Sequence, residues 1–186
     1  MLFRSVEILK RGDIQMTSAG TGISHSEHAN GDSDIHFLQI WALPRVARLK
    51  PAYYTRHFTD AEKKDKWALV VAPIDDPSVK TEREAEGPTP VQAALRLNAA
   101  LISPGVTLPH ITPNGLTKQY IHVIQTSGFN QGPAKGASVV VRGKGGKEQV
   151  LREGDGAYLV TEDGKKIEVE NVGEGVAEVL LFDLGN

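Results

Sequence analysis

Short apolar runs separated by turn residues recur along the whole chain, at lengths that suit strands rather than helices. Residues 5–10 predict a strand that enters a turn at Arg11-Gly12-Asp13. Residues 14–18 and 23–27 predict two more around Ala19-Gly20-Thr21-Gly22, whose glycines reach positive φ cheaply. After the turn-rich loop 29–34, residues 35–42 predict the most apolar strand of the first half, ended by Pro44. Residues 45–60, with Pro51, Tyr53, Tyr54 and Phe58, predict loop and a short strand. A charged turn over 61–66 leads to a buried strand at 67–72, stopped by Pro73. Residues 75–90 mix charges with Pro77, Pro88 and Pro90 and read as an exposed connection. Further strands are expected at 93–102, 118–125, 137–142, 148–151, 156–160, 166–170 and 176–182. With 19 Gly and 10 Pro spread between these runs, little room remains for a helix of ordinary length. The pattern predicts an all-β fold of the sandwich or barrel kind.

The pattern also repeats. Ile8-Leu-Lys-Arg-Gly-Asp13 matches Val150-Leu-Arg-Glu-Gly-Asp155, and the offset that places Gly12 on Gly154 places Phe37-Leu-Gln-Ile40 on Val179-Leu-Leu-Phe182. Two related halves are expected, with Ile14, Met16, Ile23, Phe37 and Ile40 in the core of the first. The halves are unequal. About fifty residues of predicted strand precede Gly154, whereas eleven residues precede Gly12. The first half is therefore expected to lack its opening strands. A sheet in that state exposes unpaired edges and one side of its core, which predicts self-association or disorder of residues 1–30.

Composition narrows the function classes. The chain of 186 residues is 40% hydrophobic and 24% charged, with a formal net charge of -2. That balance, without a basic block, speaks against direct nucleic-acid binding. With no cysteine there is no disulfide, thiolate metal site or thiol nucleophile. No run approaches membrane-spanning length, and Met1-Leu2-Phe3-Arg4 opens no signal peptide, so the sequence reads as intracellular.

The candidate chemistry lies in His25-Ser26-Glu27. On a strand, residues two apart share a face, so His25 and Glu27 form an imidazole–carboxylate pair able to share a divalent metal. The same alternation turns His28 away. His36 is expected to be a hydrogen-bonded structural residue and His57 to be exposed, while His110 and His122 belong to the second half. There the offset of the repeat sends His25 to Ile167 and Glu27 to Val169, which predicts no metal. Gly22-Ile-Ser-His-Ser26 lacks the final Gly of a nucleophile elbow, and Gly145-Gly-Lys147 lacks the Ser/Thr and the upstream Gly of a P-loop.

Gly12-Asp-Ile-Gln15, Ala19-Gly20, Gly22-Ile23, His25-Ser-Glu27 and His36-Phe-Leu-Gln-Ile-Trp41 together resemble the pirin family, and Leu180-Leu-Phe-Asp-Leu184 resembles its C-terminal barrel strand. The resemblance is specific over residues 8–42 and loose beyond residue 50. It implies a bicupin, two cupin-type β-barrels, with a shortened N-terminal barrel at 1–74, a linker at 75–94 and a C-terminal barrel at 95–186. It implies an Fe(II) site of three His and one Glu, two of the His coming from a His-Pro-His motif that this sequence does not contain. His25 and Glu27 match the other two metal ligands, and Glu27 also matches the catalytic carboxylate. Bacterial members resemble quercetin dioxygenases, and animal members are described as nuclear, iron-dependent transcription cofactors. The resemblance thus implies a metal-dependent dioxygenase of flavonol-like molecules with an impaired metal site, or a non-catalytic scaffold for a protein partner. The location it implies is cytoplasmic or nuclear.

Overall fold

The structure, a computed structural model, describes residues 6–128, 136–143 and 146–185. Residues 1–5, where the first predicted strand begins, and positions 144–145 of the 143–146 loop lie outside the described residues.

The protein is nearly all-β, as the pattern predicts. Its elements in chain order are β1 (Asp13–Ser18), β2 (Ala52–His57), α1 (Asp60–Lys63), β3 (Ala68–Pro73), β4 (Thr89–Val91), β5 (Leu95–Ile102) and β6 (Thr107–Ile111). They continue with β7 (Lys118–Val123), β8 (Ser138–Arg142), β9 (Glu148–Arg152), β10 (Gly156–Val160), β11 (Lys166–Asn171) and β12 (Ala177–Leu184). Among the described residues these strands form three sheets: β1-β2, the six-stranded β10-β7-β12-β5-β3-β4, and the four-stranded β6-β11-β8-β9. The short helix α1 carries a capping box, Thr59 and Glu62 each bonding the other's backbone N–H.

The two larger sheets pack face to face as a sandwich. Strand alternation sends Ala100 and Ile102, Ile121 and Val123, Val139 and Val141, Ile167 and Val169, and Val179 and Leu181 into one continuous core. Ile167 and Val169, which the repeat aligns with His25 and Glu27, are both fully buried there. The opposite face of the six-stranded sheet carries a second cluster. Leu97, Ala99 and Phe182 meet Val70, Val91 and Phe58, and Ile14 and Met16 of β1 pack against them. The two-stranded sheet is therefore held on the outside of the sandwich. Strands β3 and β4 join the sandwich sheet itself, β3 antiparallel to β5 and β4 parallel to β3.

Between β2 and β4 one cation organises the chain. Arg56 is buried and donates to the carbonyls of Thr55, Lys80, Glu82 and Arg83. At one end of the sandwich interior sits a buried carboxylate. Asp183 accepts from His110 Nε2 (2.8 Å) and Gln119 Nε2 (2.9 Å) on one oxygen and from Asn98 Nδ2 (3.1 Å) on the other.

The repeat survives in its turns. Gly12 has φ +88° and Gly154 φ +85°, the left-handed region that suits glycine. In the first turn Asp13 N donates to Lys10 O and Asp13 Oδ2 accepts from Lys10 N. In the second, Asp155 and Arg152 make the same two bonds. Beyond the turns the copies part. Of residues 176–182, all but Val176 fall in β12, between β5 and β7, whereas residues 35–42 form no strand. Residues 23–27 and 6–10 likewise make no sheet pairing. Of the core expected for the first half, Ile14 and Met16 are partly buried, while Ile23, Phe37 and Ile40 are 42%, 55% and 48% exposed. The apolar pattern of 35–42 is that of a strand. A strand is a paired structure, however, and among the described residues no strand offers this segment a hydrogen-bonded neighbour.

Candidate functional site

β1 and β2 run antiparallel, with Gln15 opposite Thr55 and Thr17 opposite Tyr53. They form the platform on which the His-Ser-Glu stretch rests. The chain leaves β1 through a tight turn, Gly22 N donating to Ala19 O at 2.8 Å, and Thr21 N donates to Leu49 O at 3.1 Å. Gly20 is required there. Its φ is +53°, and a Cβ would lie 2.0 Å from Leu49 O. The turn directs residues 23–28 back along the platform.

His25 and Glu27 come together, as the spacing predicts, although the segment carrying them is not paired as a strand. His25 Nε2 lies 3.8 Å from Glu27 Oε1, with the side chains 47% and 31% exposed. Glu27 Oε1 also accepts a 2.5 Å hydrogen bond from Gln15 Nε2. Gln15 Oε1 in turn accepts from Tyr53 Oη at 3.1 Å, and the same hydroxyl makes a short bond to Glu7. Burial, and then the bond to Glu7, raise the Tyr53 pKa well above the ordinary phenol value, so this hydroxyl stays a donor. Arg83 closes the far end, 5.3 Å above the Tyr53 ring and 3.5 Å from Glu7. A polar chain therefore runs from Arg83 through Glu7, Tyr53 and Gln15 to Glu27 and His25. Neither Gln15 nor Tyr53 carries a ligand signature in the sequence. Only the β1–β2 pairing brings them to the site.

Four of the other imidazoles are elsewhere. His36 Nδ1 is 3.2 Å from Gln125 O, a structural contact of the kind expected. His57 is half exposed and pairs with Asp13 at 2.6 Å. His110 binds Asp183 inside the sandwich, and His122 stacks with Tyr120 on the outer face, its pKa pushed down by burial. An open groove of about 310 Å³ beside β1 and β2 is lined by Glu7, Ile8, Leu9, His57 and Glu84, and neither His25 nor Glu27 faces it.

An imidazole nitrogen and a carboxylate oxygen, here 3.8 Å apart, fit a first-row divalent ion by donor type. Among the described residues no third His, Asp or Glu joins them to complete such a group.

Residues 4–42 match the family model described as Pirin. Two curated relatives carry related names. The quercetin 2,3-dioxygenase of Escherichia coli K12 is 35% identical over 82 residues, covering 43% of this chain and 34% of the relative. A putative quercetin 2,3-dioxygenase of Zymomonas mobilis is 34% identical over 64 residues, 34% of this chain and 27% of the relative. The chain thus aligns with about a third or less of the length of these relatives. Among solved structures, YhhW of Escherichia coli superposes with a TM-score of 0.51 at 19% identity, covering 76% of this chain and 46% of that one. A second structure, described as bacterial pirin YhhW in complex with nickel(II), superposes with the same score and covers 47% of that chain. No helix of the described residues is long and apolar enough to cross a membrane. Residues 4–42, which hold the first turn, β1 and the His-Ser-Glu stretch, are thus similar to the pirin family, and the sandwich has the fold of these neighbours.

Proposed function

We propose that His25 and Glu27 are two ligands of a metal site of the quercetin-dioxygenase kind, and that in this chain of 186 residues the site is impaired. One observation carries the reading: the imidazole and the carboxylate stand 3.8 Å apart on the segment that matches the family model, with no third ligand beside them among the described residues. The names of the curated relatives and the nickel(II) complex of YhhW support a metal and a flavonol-like substrate. Fe(II), when bound, would supply Lewis acidity and a common point of attachment for substrate and oxygen. The chain's own residues would do the rest. His25 and Glu27 would hold the ion, and Glu27 would accept the proton of a substrate hydroxyl. Two protein donors hold a first-row ion less firmly than the three or four of a complete site. A second reading, a non-catalytic scaffold for a protein partner, is favoured by the large apolar side chains exposed between Ile35 and Leu43.

The test is an anaerobic Fe(II) titration followed by a quercetin-consumption assay in air. At one equivalent of Fe(II) we expect less than half occupancy, no quercetin loss above that of free Fe(II), and a further fall in binding for His25→Ala. Stoichiometric binding with turnover that His25→Ala abolishes would overturn the impairment. Binding indifferent to His25→Ala would overturn the ligand assignment and leave the scaffold reading.

A further inference from the structure

Glu27 does not stand free beside His25. The 2.5 Å contact between Gln15 and Glu27 Oε1 fixes which end of the Gln15 amide faces the carboxylate, because only the NH₂ group can donate. The other end agrees, since the Gln15 carbonyl meets the Tyr53 hydroxyl, a donor. That hydroxyl has one proton for two acceptors, the closer Glu7 carboxylate and the Gln15 carbonyl at 3.1 Å, so it donates to one of them at a time. Gln15 and Tyr53 stand on neighbouring paired strands, whereas His25 and Glu27 stand on a segment with no strand partner. The paired strands therefore hold the unpaired segment through the Gln15 amide. Resting on the reading above, we propose that Gln15 is a positioning residue. It holds the Glu27 carboxylate against the His25 imidazole before any ion arrives, and Tyr53 and Glu7 set its orientation. Outer hydrogen bonds of this kind orient carboxylate and imidazole ligands, and their loss typically costs about 10- to 100-fold in metal affinity.

The experiment uses the full chain and two readouts. In metal-free protein, nuclear Overhauser contacts between the His25 ring and the Glu27 side chain report the pair directly. We expect these contacts in the parent and their loss in Gln15→Leu, which removes both bonds. We expect the same loss in Gln15→Glu, which keeps the shape but replaces the donor with an acceptor. Cross-strand contacts between β1 and β2 should persist in both variants, showing that the platform is intact. Tyr53→Phe should weaken the His25–Glu27 contacts without abolishing them. Retention of the contacts in Gln15→Leu or in Gln15→Glu would overturn the proposal whether or not metal binds. Titration with Ni(II), followed by paramagnetic broadening at His25 and Glu27, supplies the second readout. Its midpoint should move upward about 10- to 100-fold in Gln15→Leu. An unmoved midpoint would overturn the positioning role. A midpoint that His25→Ala leaves unchanged would overturn the ligand reading instead, and the metal-free contacts would still decide the proposal.

Discussion

Residues 35–43 and β12 are alike in sequence and unlike in structure. Ile-His-Phe-Leu-Gln-Ile-Trp and Ala-Glu-Val-Leu-Leu-Phe-Asp-Leu are both short, apolar and free of glycine and proline, and the repeat aligns them. β12 is hydrogen-bonded along both edges, to β5 and to β7, and its two faces serve two clusters. The first segment pairs with nothing among the described residues, and Trp41, the position aligned with Asp183, is 85% exposed where Asp183 is fully buried. The difference teaches that a strand pattern records a capacity. Whether it is used depends on partners that supply hydrogen bonds and cover the apolar face.

The comparison breaks most visibly at its polar end. Asp183→Ala removes the shared acceptor of His110, Gln119 and Asn98 inside the core, leaving Gln119 its bond to Thr112 and Asn98 a long one to Leu181 O. Breaking a buried pair from one side costs about 3–5 kcal/mol. We expect urea unfolding to show a loss of that order, and a loss below about 1 kcal/mol would mean that the cluster is solvated. Truncation of one apolar position in each segment comes next. Leu181→Ala, in the fully buried layer, should cost about 2–5 kcal/mol, whereas Phe37→Ala should stay within about 0.5 kcal/mol. Equal costs in the two regions would show that the first segment is covered in solution.

The smallest effect concerns pH. Glu153 is buried and would for that reason titrate high. The hydroxyls of Ser127 and Thr126 and the backbone N–H groups of Ser127 and Ala137 reverse this and hold its pKa below the ordinary range. A depressed carboxylate contributes stability that is present above its unfolded value, about 4.3, and is lost as pH falls through the folded value. Glu153→Gln should therefore cost about 1–2 kcal/mol at neutral pH. The gap to the parent should close as pH drops below about 4, followed by denaturation midpoints across that range. A gap constant with pH would remove the carboxylate's charge from the account.

Legibility followed the range over which each feature is encoded. The paired Gly-Asp turns could be read because glycine's left-handed conformation and the aspartate's bond back to the chain are settled within four residues. Most second-half strands could be read because alternation and turn residues agree there. The His25–Glu27 pair was legible from its spacing, although the segment that carries it has no strand partner. Gln15 and Tyr53 were not legible. They are 38 positions apart, neither residue type announces a metal site, and their meeting depends on the register of β1 on β2. Asp183 was hidden for the same reason, its donors lying 64 to 85 positions away. The first-half core was overestimated at Ile23, Phe37 and Ile40 because burial there requires a covering layer that the residues themselves do not encode.

The buried Arg56 has a consequence for how the chain can change length. Surface connections usually absorb inserted or deleted residues without penalty. The stretch between β3 and β4 is different, because the carbonyls of Lys80, Glu82 and Arg83 are all spent on one planar fork of fixed span. One residue added between positions 80 and 83 would carry at least one of those oxygens out of reach and leave the guanidinium short of an acceptor. A lysine, with a single point of attachment, could not gather the same carbonyls. This loop should therefore behave as a segment of constant length, while residues 29–34, which meet no such ruler, remain open to insertion.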